Sequence, residues 1–468
     1  MKTMNLFIGG EWLEGSSGKY IKVENPATME IIGQVPEGER PDVDKAVEVA
    51  NQAFVSWRKK PVSERKKYLF RMAEYFDLHT DEIAETVTEE LGTPVSIAAE
   101  YHVESIADEI RYFAEAAENL EYEADIDGGI IMHEPIGVVA GLTPWNFPLE
   151  QIAAKAFPAM AVGNCVIIKP SQLTPLTAGY FAKAAEYANL PAGVFNLVTG
   201  KGSVVGNLLA THEGIRMISF TGSTTGGQEV GRNAMSNIKK IALELGGKSP
   251  AIILPGADYE KAVEEVLDNC FMNTGQVCSA LTRMIIPEKD KKIIEEIAVN
   301  KAAEYKVGDP KDSSTDIGPL VSRKQFDKVK EYIRVGIDEG ARMIFGSVPE
   351  NCEDGYYVTP VIFSDVTNSM RIAREEIFGP VVCIITYETV EEAVDIANDS
   401  PYGLSGAVFG EKLQAIEIAK KIEAGTVHIN GAEFAEDGCF GGYKESGIGR
   451  EFGNIGMTEY LETKTVFL

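Results

Sequence analysis

The sequence predicts an α/β protein with two domains, each built on a parallel sheet, and three observations carry that expectation. From Ile136 onward, short apolar runs at Ile136–Leu142, Cys165–Lys169, Val194–Val198, Met217–Thr221 and Lys240–Leu243 alternate with helix-length segments. Strands covered on both faces read as near-continuous apolar runs, and their alternation with helices is the pattern of a parallel sheet with crossover connections. After Gly247 a second alternation begins with Ala251–Leu254 and a helix over Asp258–Asn273, then continues through Val358–Phe363 and Val381–Tyr387. Third, the chain has 468 residues, too many for one ordinary hydrophobic core.

The N-terminal part reads as a short tab followed by helices. Val43, Ala46, Val47, Ala50 and Phe54 recur at helical spacing within Asp42–Trp57. A second helix is expected from Ser63, as its cap, to His79, and a third closing near Gly92 just before Pro94. The acidic, aperiodic stretch Glu121–Gly129 and the terminal Thr463–Leu468 are expected to form projecting strands that pair with another subunit. No internal repeat or low-complexity segment stands out.

Composition excludes several classes of function. With 44% hydrophobic and 25% charged residues the chain matches globular proteins, and no apolar run approaches a bilayer span. The opening MKTMNLFIGGEW lacks the apolar core of a secretory signal, so no membrane association and a cytoplasmic location are expected. A net charge of −27, from 71 acidic and 44 basic residues, argues against binding nucleic acid or anionic membranes. Six cysteines without a CxxC pair suit neither zinc nor a disulfide framework, and five histidines without an HExxH pair give no metal site or serine triad.

Individual residues then suggest chemistry. Cys278, in FMNTGQVCSA, follows a helix expected to stop near Asn273 and Gly275, and a thiol near a helix end or backbone N–H groups is favoured as the nucleophilic thiolate. A small buried hydrophobe is the alternative reading. Glu244 in LELGGKSP leaves a strand beside two glycines and suits a general base, although a solvated turn residue has the same signature. The segment FTGSTTGG, Phe220 to Gly227, follows a strand and opens a helix as a dinucleotide-binding turn does, but its spacing is not GxGxxG. Lys169 ends a strand at the side where open α/β sheets bind ligands, or is merely exposed there. Asn146, in TPWNFPLE, offers an amide donor for an oxyanion, or is an ordinary turn asparagine.

Taken in order, TPWNFP, IIKPSQLTP, FTGSTTGG, LELGGKSP, GQVC, EEIFGPV and GGYKESGIGRE resemble the motif series of the aldehyde dehydrogenase superfamily, from NPAT at Asn25 to the terminal strand. The resemblance implies a Rossmann-like cofactor domain, an α/β catalytic domain and a small β hairpin for oligomerisation. The corresponding boundaries are 1–116 and 136–247 for the NAD(P)-binding domain, 248–449 for the catalytic domain, and 117–135 with 450–468 for oligomerisation. It further implies a homodimer or homotetramer that oxidises an aldehyde to a carboxylic acid. In that chemistry Cys278 forms a thiohemiacetal and then a thioester, Asn146 holds the oxyanion, and Glu244 activates the hydrolytic water. Lys155 and Glu451 match proton-relay positions.

By the same resemblance, the cofactor is NAD or NADP. Lys169 matches an adenosine-ribose position, Gly222 and Ser223 the pyrophosphate turn, and Glu376 with Phe378 the nicotinamide ribose and ring. Trp145, Ser171, Gln172, Gly202 and Phe220 complete the cofactor set, and Phe147, Glu150, Ala154 and Phe440 match tunnel-lining regions. No metal is implied. The small Ala154 implies a wide tunnel, and Glu150 either favours a polar or cationic substrate or faces solvent. Two departures stand out: Gln172 replaces a glutamate common in NAD-specific members, which implies that NADP is accepted, and Cys439 stands where proline is common. The alternatives are a CoA-acylating relative, whose members generally lack the glutamate matched by Glu244, and a noncatalytic relative.

Overall fold

The apolar runs assemble into the expected parallel sheets. The computed structural model describes residues 2–350 and 352–468. The first sheet has eight strands in the order Gly447–Ile448, Lys240–Glu244, Met217–Thr221, Val138–Leu142, Cys165–Lys169, Phe195–Leu197, Leu6–Ile8 and Glu11–Leu13. Its five inner strands, from Lys240–Glu244 to Phe195–Leu197, are parallel. The chain begins this set in the middle with Val138–Leu142, builds outward through Cys165–Lys169 and Phe195–Leu197, then returns to the other flank with Met217–Thr221 and Lys240–Glu244. Such a reversal opens a crevice at the carboxyl ends of the two strands on either side of it, the place where open α/β sheets take ligands.

The N-terminal tab differs from expectation. Leu6–Ile8 and Glu11–Leu13 are antiparallel edge strands of the first sheet, held there because Leu6, Phe7 and Ile8 are all buried. The helices Arg40–Trp57 and Val62–Leu78 follow. Ser63 is not the cap of the second: Pro61 takes that position and Ser63 lies in the first turn. Helix Thr80–Leu91 stops at Gly92, whose φ of 88° is the left-handed conformation that terminates helices.

The second sheet has seven strands in the order Arg342–Phe345, Val361–Ser364, Val381–Tyr387, Arg283–Pro287, Pro250–Ile253, Ser405–Phe409 and Thr426–Ile429, all parallel except the edge strand Arg342–Phe345. The strand expected from Val358 starts only at Val361, after Pro360, which has no N–H for the ladder. The buried side chains around this sheet form clusters separate from the core of the first. A third, antiparallel sheet joins Glu123–Ile126, Gly129–Pro135 and Leu461–Phe467. Its outer strand is exposed from Glu462 to Phe467. Among the described residues no helix is long and apolar enough to cross a membrane.

Candidate active site

Two loops are tied together beside the thiol. Beyond Val138–Leu142 the chain runs through Trp145, Asn146 and Phe147 into helix Glu150–Ala161. Asn146 is buried; its Nδ2 donates to the carbonyl of Gln276 at 3.0 Å, and its own carbonyl accepts from Asn273 Nδ2 at 2.9 Å. The turn after helix Tyr259–Phe271 is left-handed at Asn273, Thr274 and Gly275, with φ of 49°, 59° and 71°. A side chain at Gly275 would strike the Gly379 backbone, so this turn is held close against the second sheet. Gln276 locks it further, donating to the Asn273 carbonyl and accepting from the Val321 N–H, each at 2.9 Å. Cys278 follows directly and is half-buried.

The surroundings of that thiol correct one expectation. A turn beyond a helix was expected to favour the thiolate; instead burial raises the Cys278 thiol above its ordinary value, and the charges of Glu150, Glu376 and Glu244 add to the effect. The Ser279 N–H opposes them and is outweighed. In the protein without cofactor, alkylation of Cys278 by iodoacetamide should therefore keep accelerating with pH, about tenfold per unit from about pH 7 to 9, as thiolate fraction does below a pKa. A rate that levels off below about pH 8 would contradict the neutral thiol.

Glu244 closes the strand Lys240–Glu244 and is 3% exposed, with neither carboxylate oxygen hydrogen-bonded. It is thus not a solvated turn residue. Burial first, and then the charge of Glu451, hold its carboxyl well above the usual range against the opposing Lys155 and Arg450. Nearby lies a buried polar set: Lys155 Nζ is 2.7 Å from both Glu451 Oε1 and Thr221 Oγ1, and 3.2 Å from Gln151 Oε1. Cys439 is half-buried. Next to it, Phe440 and Glu451 exchange two backbone hydrogen bonds of 2.7 and 2.8 Å.

The second sheet supplies the opposite wall. Glu376 accepts from the Gly247 N–H at 3.1 Å, and a side chain at Gly247 would collide with the Cys278 carbonyl. The rings of Trp145 and Phe378 meet edge to face at 5.3 Å. The cleft between the sheets therefore brings together residues more than 200 positions apart in sequence.

The remaining cofactor candidates line the carboxyl ends of the first sheet. Lys169 is buried, donates to the Pro170 carbonyl at 2.7 Å and is lowered by burial to about 8. Ser171 Oγ accepts from the Leu173 N–H, Gln172 is exposed, and Gly202 opens the π-helical stretch Gly202–Gly206. FTGSTTGG forms the expected strand-to-helix turn: Ser223 caps helix Thr224–Met235, its Oγ accepting from the Gly226 N–H at 3.2 Å, and Phe220 packs below Gly222. The first N–H groups of a helix have no partner within it, so this end of a 12-residue helix fits a dinucleotide pyrophosphate.

Of the tunnel candidates, Phe147 stacks on His102 with ring centroids 4.7 Å apart. Glu150 is half-buried and pushed up to about 7 by burial and by Glu451, so it does not simply face solvent. Phe440 lies edge-on to Phe434 at 6.3 Å. Ala154 is 0% exposed, which corrects the expectation of a wide tunnel at that point: its methyl is enclosed where helices pack. Sequence reading missed Asn273 and Gln276, visible in the NTGQVC motif but without a signal of their hydrogen bonds. It also missed Gln151, Thr221, His102 and Glu109, whose neighbours arise only in the fold.

Comparison with known proteins identifies the family. The model of the aldehyde dehydrogenase family matches residues 12–466. Aldehyde dehydrogenase C from Pseudomonas syringae, solved as a cysteine-to-alanine mutant with NAD+ and octanal, is 43% identical; the match covers 99% of this chain and 96% of that one at a TM-score of 0.98. Betaine aldehyde dehydrogenase from Staphylococcus aureus, solved with NAD+, is 36% identical over 99% of this chain and 94% of its own, with a TM-score of 0.96. An aldehyde dehydrogenase from Bacillus cereus, solved with NAD+, is 36% identical over 100% and 96%, at a TM-score of 0.97. The chain belongs to the aldehyde dehydrogenase family. It is a nicotinamide-dependent oxidoreductase acting on an aldehyde.

Proposed function

We propose that the protein converts an aldehyde to a free carboxylic acid through a thioester on Cys278. The observation that carries this reading is the buried Glu244 carboxyl, free of hydrogen bonds, in the same pocket as the thiol. In this reading the Cys278 thiol loses its proton to water, its Sγ bonds to the carbonyl carbon as the C=O π pair moves to oxygen, and the oxyanion formed accepts from Asn146 Nδ2 and the Cys278 N–H. The dinucleotide, when bound, supplies the acceptor for the hydride that leaves that carbon. Glu244 then takes a proton from water as its oxygen attacks the thioester; the carbon–sulfur bond breaks and the thiolate is restored. Lys155 and Glu451, paired at 2.7 Å, pass the proton onward.

Lys169 and Gln172 would hold the adenosine ribose, Gly222 and Ser223 the pyrophosphate, and Glu376 with Phe378 the nicotinamide riboside, with Trp145, Ser171, Gly202 and Phe220 lining the cleft. Residues 1–116 and 136–247 would form the cofactor domain and 248–449 the catalytic domain, a division supported by their separate cores. Residues 117–135 and 450–468 would join subunits into a homodimer or homotetramer, as the exposed outer strand Leu461–Phe467 supports. Six free cysteines suit the reducing cytoplasm. The test is production of acid and reduced nicotinamide from octanal without CoA. A strict requirement for CoA, or no reduction with a broad aldehyde panel, would overturn the reading.

Cofactor choice rests on Gln172, exposed three residues beyond Lys169. A carboxylate there would repel a 2′-phosphate, whereas glutamine keeps the hydrogen bond and removes the repulsion. NADP should therefore be used alongside NAD, with Lys169 pairing to the phosphate. Gln172→Glu is expected to shift the kcat/KM ratio toward NAD by about tenfold, mostly through KM for NADP. Absence of NADP-dependent activity in the unmodified enzyme would contradict this selector.

A further inference from the structure

Glu90 is a buried carboxylate that the reaction above does not use. It lies at the end of helix Thr80–Leu91 and is 0% exposed. Its oxygens take three donors from another element: Oε2 accepts from the Leu176 N–H at 2.8 Å, and Oε1 from the Thr177 N–H at 2.9 Å and from the Thr177 hydroxyl. A carboxylate withdrawn from water needs donors of this kind, and such charge-assisted bonds are the strong ones. Leu176 and Thr177 stand directly before helix Ala178–Tyr187, and the Thr177 side chain makes no cap to that helix. Glu90 instead brings negative charge to the helix start, where unpaired N–H groups favour it.

Leu176 and Thr177 also close the loop that leaves strand Cys165–Lys169 at its carboxyl end. Residues 170–177 form neither helix nor strand, so their course depends on contacts with the rest of the fold. The loop opens with Ser171 and the exposed Gln172, shortly after Lys169. Its start is fixed by the sheet, where Lys169 pairs with Leu142. Its middle is fixed by the buried Thr174, which donates to the Trp145 carbonyl at 3.2 Å. Glu90 fixes its end. The anchor is itself firmly seated: the helix bearing Glu90 stops at Gly92, whose carbonyl a side chain at Gly318 would strike, so the helix end is packed backbone to backbone.

We propose, on the reading that Lys169 and Gln172 hold the adenosine ribose, that Glu90 is a positioning residue for the adenosine half of the cofactor, setting the course of the loop that presents Ser171 and Gln172. A loop already held in its bound course loses little freedom when the ligand arrives, and affinity gains by that difference. Replacing the carboxylate by an amide exposes the role, because an amide has one acceptor oxygen and an NH2 group that only donates. Turned either way, that NH2 stands against at least one of the Leu176 and Thr177 donors, which a buried site tolerates poorly. The loop end is then released, while the bonds that lock the nucleophile turn, between Asn146 and Gln276 and between Asn273 and Asn146, are untouched.

The experiment titrates ADP, which carries the adenosine ribose and no nicotinamide, into the unmodified enzyme and into Glu90→Gln in a calorimeter at about pH 8. Glu90 is largely ionised there, burial having pushed its carboxyl up to about 7. Kd for ADP is expected to rise by about tenfold, the scale of one lost bond to a charged group. In turnover the loss should fall on KM for NAD rather than on kcat at saturating NAD or on KM for octanal, whereas a general loss of folded enzyme would lower kcat. Thr177→Val, which removes one donor, should weaken ADP in the same direction, and adding it to Glu90→Gln should cost little more. Thr177→Val also carries the comparison should Glu90→Gln fail to fold. Lys169→Met separates the two readings: if it weakens ADP while a folded Glu90→Gln does not, the positioning role is overturned. If Lys169→Met leaves ADP binding unchanged, the adenosine reading itself fails and the positioning role falls with it.

Discussion

Cys278→Ala is expected to abolish aldehyde oxidation, with kcat falling by about 10⁴-fold or more, the scale seen when a covalent nucleophile is removed from a hydrolytic enzyme. The structure makes the expectation specific to this thiol. Cys165, Cys270 and Cys383 are buried at 0% exposure in the cores, where burial pushes their thiols up, and Cys352 is buried elsewhere. Only Cys278 and Cys439 are half-buried among the described residues, and only Cys278 follows the turn locked to Asn146. Because Gln276 and Asn273 hold that turn without help from the thiol, the variant should fold normally and bind NAD with nearly unchanged affinity in a calorimetric titration. Cys439→Ser, by contrast, should retain turnover with an altered KM. Full activity in Cys278→Ala would sink the covalent mechanism.

Glu244→Gln should lower steady-state turnover by about 10² to 10⁴-fold, the usual contribution of a general base. Deacylation is the step at risk, since thioester hydrolysis needs water to lose a proton and Glu244 is the buried carboxyl whose charge bears on Cys278 from the end of its strand. A rapid-mixing experiment should then show a burst of reduced nicotinamide close to one per active site, followed by slow release of acid. The pH dependence has a definite sign. Burial and Glu451 raise the Glu244 carboxyl, so the ionised base is scarce at low pH and kcat should climb as pH rises through that raised value. In Glu244→Gln the climb should flatten. A normal steady-state rate in this variant would assign the base elsewhere.

Much of the fold is legible in the sequence alone. Predominantly apolar runs such as Cys165–Lys169 and Met217–Thr221 form strands with the expected bounds, because such a run is best satisfied between two covered faces. The strand-to-helix turn at FTGSTTGG was equally local, and the Ser223 cap seen in the structure accounts for the helix start there. Strands with small or interrupted side chains, such as Ser405–Phe409 and Thr426–Ile429, were not legible, since their partners supply the stabilisation. The short Leu6–Ile8 likewise gains its place only by pairing with Phe195–Leu197.

Residue type and near-neighbour spacing were enough for the parallel α/β class and the family resemblance, and enough to single out Cys278, Glu244 and Asn146 as candidates. The tertiary structure decided their electrostatics. Whether Cys278 rests as thiol or thiolate depends first on its burial and then on Glu150, Glu376 and Glu244, which lie far apart in sequence. The same holds for Lys155 with Glu451, 296 positions apart, and for the enclosure of Ala154, which composition cannot reveal. Charge interaction depends on distance and burial in space, and neither quantity is written in local order along the chain.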